Sequence, residues 1–135
     1  MKNIVLFFVL IGLSSISHAE SESFIGCFKS KNINVKFVQI NRDDTSLAYV
    51  KYQKSNKAIP LLFVESAYEK NEEGGVGEYT TKWDEFVKGK LNGQYTVMSQ
   101  GARFYQLRYI SNKNSVTYFE DDITLYNEDG TNCKW

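Results

Sequence analysis

The sequence predicts an all-β fold, a small antiparallel barrel or sandwich of seven to eight strands closed by one disulfide. Three observations point there. Short runs rich in β-branched and aromatic residues recur along the chain, alternating apolar with polar at period two. Clusters of Asn, Asp, Gly and Ser separate those runs as turns. Two cysteines, Cys27 and Cys133, stand near opposite ends of the chain.

The elements follow in order. Ile33, Val35 and Phe37 alternate with Asn34 and Lys36, and Ala48, Val50 and Tyr52 alternate with Tyr49 and Lys51. The Asn-Arg-Asp-Asp run at 41–44 turns the chain between them. Pro60, the single proline, precedes the apolar run 61–64, which reads as a strand starting at a sheet edge. The charged, glycine-rich stretch 69–77 reads as a surface loop, and residues 82–87 (KWDEFV) as one helical turn. Tyr105, Leu107 and Tyr109 alternate with Phe104, Gln106 and Arg108, placing the first three toward a core. Residues 116–119 and 123–126 are shorter strands, with turns expected at 111–114 and 128–130.

The first nineteen residues, MKNIVLFFVLIGLSSISHA, have the form of a cleavable export signal: Lys2, an apolar run over 4–13, and the small-x-small triplet Ser17-His18-Ala19. That apolar core is about ten residues, where a membrane-spanning helix needs roughly 20, so no stable membrane insertion is expected. Phe24-Ile25-Gly26-Cys27 resembles a bacterial lipobox, but Glu20 and Glu22 separate it from the apolar run. The expected mature protein is one domain, residues 20–135, periplasmic or secreted. Removal of Lys2 leaves 15 basic residues against 16 acidic ones, which gives no basic footprint for nucleic acid.

Cleavage also removes His18, the one histidine of the chain. That excludes Ser-His-Asp and Cys-His nucleophiles and histidine-ligated zinc. No catalytic residue, cofactor or metal site is assigned, and the chain reads as a non-enzyme. In an oxidising compartment Cys27 and Cys133 are expected to pair. The loop of about 107 residues that they close corresponds to on the order of 4 to 5 kcal/mol of stabilisation by chain entropy, and would tie the first strand to the last.

Asp84-Glu85 and Glu120-Asp121-Asp122 carry the residue type of a glycosidase pair, but neighbouring carboxylates on a strand face opposite ways and an acidic run is ordinarily solvated. Asn127-Glu128-Asp129-Gly130 resembles a fragment of a calcium loop and lacks the remaining ligands. The most informative stretch is Ser99-Gln100-Gly101-Ala102-Arg103-Phe104, where one strand turns into the next. By itself it is a hairpin, with Gly101 supplying a positive φ.

The same run resembles the Ser-Gly-x-x-Tyr loop of the periplasmic inhibitors of c-type lysozyme. The order of features is also similar: signal peptide, early Cys27, alternating strands, loop, late Cys133. Gln100 is an insertion relative to that motif, Phe104 stands for its tyrosine, and Tyr118-Phe119-Glu120-Asp121-Asp122 replaces the family's second motif, Tyr-x-x-x-Thr-Lys-Gly. The resemblance implies a small eight-stranded barrel that binds a protein partner, a lysozyme or another secreted hydrolase or toxin. It makes Ser99, Gln100, Gly101 and Arg103 the candidate contacts, with Ser99 reaching the enzyme's carboxylates. Two other readings stand beside inhibition: an immunity protein against an interbacterial toxin, and a lipocalin-like carrier of a small apolar ligand.

Overall fold

Eight antiparallel strands pair in sequence order and close on themselves. The computed structural model describes residues 20–135. The strands are β1 (Glu22–Ser30), β2 (Ile33–Arg42), β3 (Thr45–Tyr52), β4 (Ile59–Glu69), β5 (Glu78–Val87), β6 (Lys90–Gln100), β7 (Arg103–Ser111) and β8 (Val116–Asp121). Of the two expected architectures the barrel is the one formed, since β8 pairs back on β1. The export signal expected over residues 1–19 lies outside the described residues.

Period-two alternation fills the interior. Phe28, Val35, Phe37, Val50, Trp83, Tyr95, Val97, Leu107 and Phe119 come from seven strands, and all are buried in one cluster. Phe37 stands edge-on to Trp83 and to Phe104, with ring centroids 6.2 and 5.2 Å away, a geometry that matches ring edge to ring face. The middle of the barrel is therefore a packed core. Gly26 is required there: a Cβ at that position would lie 2.3 Å from the Phe28 ring.

The structure corrects the sequence reading in four places. Residues 82–87 belong to β5 and are not a helical turn. Residues 123–126 are not a strand: Ile123–Leu125 is a 3₁₀ turn, capped by Asp122, whose side chain accepts from the Thr124 amide. Tyr105 does not face the core. Ser99 pairs with Phe104 and Met98 with Gln106, so Tyr105 is the extra residue of a bulge and Phe104 takes the inward place. Leu107 is fully buried as expected, and Tyr109 packs against the core. Finally, Cys133 lies beyond the last strand, in a tail that bridges Tyr126 to Cys133.

That tail crosses the outer face of β1 and β2. Cys27 bonds Cys133 across a Cα separation of 5.7 Å, within the span a disulfide tolerates. Lys36, the partner of Cys27 in the β1–β2 ladder, is buried beside it, and its Nζ donates to Asn132 Oδ1 at 3.1 Å. Burial, with the charge of Lys51, holds the Lys36 pKa below its ordinary value. The disulfide fits an oxidising, exported compartment.

Two outcomes are expected. Thiol titration of the unfolded, unreduced protein finds about zero reactive groups, and reduction lowers stability by a few kcal/mol; two free thiols would refute the pairing. In urea unfolding, Leu107→Ala costs about 2 to 5 kcal/mol, whereas Tyr105→Ala costs about 1 or less. Equal losses would mean that the bulge is absent.

Candidate functional site

The turn between β6 and β7 stands at one mouth of the barrel. Gln100 pairs with Arg103, which leaves Gly101 and Ala102 as a two-residue hairpin loop. Both have positive φ, +58° and +62°, as the tight turns compatible with strand twist require. Glycine adopts that conformation freely, but at Ala102 a Cβ is held in the left-handed region at some cost in strain.

Each candidate residue is placed differently. Ser99 is half-buried and lines the inner side of the mouth. Gln100 is exposed, and its Nε2 donates to the Val76 carbonyl at 2.8 Å, joining the turn to the neighbouring β4–β5 loop. Arg103 points to the outside, where its Nη2 meets Asp121 Oδ2 at 2.7 Å. The Asp121 side chain is only 5 % exposed and Arg103 is 65 % exposed. Hydrogen bonding to Asp121, together with its charge, raises the Arg103 pKa above its ordinary value.

Two recesses flank the turn. The inner one, about 350 Å³, has Phe24 and Phe104 among its apolar walls and Gln39, Asn41, Ser66 and Ser99 among its polar ones. The outer one runs between the turn and the C-terminal segment, touching Ile25, Arg103, Ile123 and Tyr126. Ala102 borders both.

The outer wall is fixed by a relay that the sequence did not disclose. Tyr126 donates its hydroxyl proton to Asp121 Oδ1 and accepts from the Cys27 amide at 3.1 Å, while Asp121 receives Arg103. Asp121 thus belongs to no solvated acidic run. The signal available was an arginine leaving a turn and an acidic strand end, but the pairing of β7 with β8 is needed to bring them together. Burial, then the bond to Asp121, pushes the Tyr126 phenol up to about 12.

The other end of the barrel holds a different polar cluster. Glu85 is buried, accepting from Tyr95 and Tyr109 hydroxyls at 3.1 Å each and from Asn92 Nδ2. Tyr52 and Tyr95 hydroxyls lie 2.7 Å apart. Burial raises the phenol pKa of Tyr95, with the neighbouring Tyr52 and Glu85 adding to it. As expected of neighbours on a strand, Asp84 faces outward and Glu85 inward. Among the described residues no group of three or more His, Cys, Asp or Glu is arranged to hold a metal, and no helix is long and apolar enough to cross a membrane. Comparison with protein-family models, with curated proteins and with solved structures finds no match to this chain.

The relay has a pH signature. A phenol whose pKa is higher folded than unfolded contributes stability that is complete below about pH 10 and lost as pH rises toward the folded value. Tyr126 should therefore contribute a fall in stability between about pH 10 and 12. Tyr126→Phe is expected to flatten that fall, read as the difference in urea midpoint between about pH 9 and pH 11. An unchanged difference would separate Tyr126 from the effect.

Proposed function

We propose that the chain is an exported, non-catalytic binding protein that inhibits a secreted hydrolase, with a c-type lysozyme as the target, engaged by the 99–103 turn. The observation that carries this reading is the place of the turn: a two-residue hairpin on the rim of a filled barrel, between two recesses. A packed interior favours a binder over a carrier, because Phe37, Trp83 and Phe104 occupy the space that a ligand inside the barrel would need. Ser99 and Arg103 then have separate tasks. Ser99 offers a hydroxyl donor to a carboxylate in the target's cleft. Arg103, already bound to Asp121, braces the turn and presents its remaining N–H groups. The bulge at Tyr105 swings Phe104 inward, which anchors the outgoing strand of the turn in the core.

A second reading, neutralisation of a basic toxin by an immunity protein, is favoured by the acidic end of β4 and the loop after it, which carry Glu69, Glu72 and Glu73.

A lysis assay with purified residues 20–135 tests the first reading. Inhibition of a c-type lysozyme at micromolar protein is expected, and Ser99→Ala should weaken it about thirtyfold, or on the order of 2 kcal/mol. Ser99→Ala is the cleaner probe, because Arg103→Ala also leaves Asp121 without its ion-pair partner. No inhibition of any c-type lysozyme removes the lysozyme target. Full inhibition by Ser99→Ala keeps the function but moves the site.

A further inference from the structure

The barrel wall is incomplete beside the mouth. β3 and β4 pair only through Ala48↔Leu61, Tyr49↔Pro60 and Val50↔Ile59. Beyond Leu61, β4 continues to Glu69 with β5 as its neighbour on one side and, among the described residues, no strand on the other. Just past that point Val64 is the extra residue of a bulge between Phe63 and Glu65, a feature that bends and twists a strand. Every residue from 62 to 69 is exposed. Along the free side, alternate amides and carbonyls have no ladder partner, which is the template an added strand requires.

The side chains on this arm say what kind of strand fits. Apolar surface is concentrated there: Leu62 is 60 % exposed, Val64 43 % and Tyr68 54 %. Charge is equally one-sided. Between positions 62 and 84 stand Glu65, Glu69, Glu72, Glu73, Glu78 and Asp84 against only Lys70 and Lys82, in a chain whose charges balance overall. Among the described residues the only one of those carboxylates in an ion pair is Glu65, with Lys82.

We propose that the free edge of β4 over residues 62–69 is a docking site for an extended segment of a basic protein partner, which adds as a strand and alternates apolar with Lys or Arg side chains. Main-chain hydrogen bonds supply the attachment; the apolar and acidic side chains of the arm select the segment. The site rests on the reading that this chain binds a protein, and extends the contact from the 99–103 turn along the adjoining arm, to which Gln100 is tied through Val76.

The test uses a fluorescein-labelled ten-residue peptide alternating Lys with Val and Thr, and its counterpart with Glu in place of Lys, titrated into disulfide-intact residues 20–135. Anisotropy reads binding, and amide NMR shifts read its place. The lysine peptide is expected to bind with salt-sensitive affinity, with shifts centred on residues 62–69. Ala67→Lys, on the exposed outward face, should weaken it about tenfold or more by like-charge repulsion. Glu72→Lys with Glu73→Lys, on the loop beyond the strand, should weaken it severalfold without touching the edge. Shifts centred elsewhere, equal binding of the glutamate peptide, or pairing of two copies of the protein through the same amides would each overturn the proposal. The peptide reads β4 directly, so a failed lysis assay leaves this result interpretable, and a failed peptide leaves the Ser99 contact standing.

Discussion

The barrel closes on very little. β1 and β8 share only the pairs Phe28↔Asp121 and Lys29↔Glu120, and the first half of β1 has no partner from β8. What reinforces the seam comes from outside the ladder: the Asp122 amide donating to the Cys27 carbonyl, the Tyr126 hydroxyl receiving the Cys27 amide, and the disulfide from Cys27 to Cys133. Covalent and hydrogen-bonded contacts thus converge on one residue of β1. A two-pair ladder alone would open readily, because few buried contacts oppose its fraying.

The mouth inherits its shape from that seam. Asp121 ends β8, receives Tyr126 from the tail, and holds Arg103 at the start of β7. The turn carrying Ser99 is therefore braced from outside by the same groups that close the barrel, and from inside by Phe104 against Phe24 and Phe37. The opposite end is sealed by Glu85 with its tyrosine and asparagine donors, a buried carboxylate that is tolerable because its oxygens are satisfied. One end is closed by polar groups spent on one another. The other leaves a recess, a rim and a free strand edge available for contact.

Much of this was legible in the sequence, for reasons that can be named. The alternation of Val35, Phe37, Val50 and Leu107 with polar neighbours gave the strands, and the terminal cysteines gave their bond. What was misread involved exceptions to alternation. Glu85 is a buried acid in a strand whose other inward residue there is Trp83, so 82–87 shows no apolar alternation and reads in sequence as a helical turn. The bulges at Val64 and Tyr105 each shift the inward set by one residue, which no local pattern announces. At the candidate site, the turn and the positive φ of Gly101 were readable, whereas the ties from Arg103 to Asp121 and Tyr126 depend on strands that only tertiary structure brings together. The free edge of β4 is likewise a matter of where β3 stops pairing.

One residue of β1 holds the seam shut while β4 leaves its edge open on the same barrel. Native-state amide hydrogen exchange on the free, oxidised protein tests both halves at once. Slow exchange is expected at Cys27 and Asp122, comparable to the β6–β7 ladder, and fast exchange at alternate amides over residues 62–69. Fast exchange at Cys27 and Asp122 would mean that the seam is held elsewhere, and uniform protection across 62–69 that the β4 edge is not free.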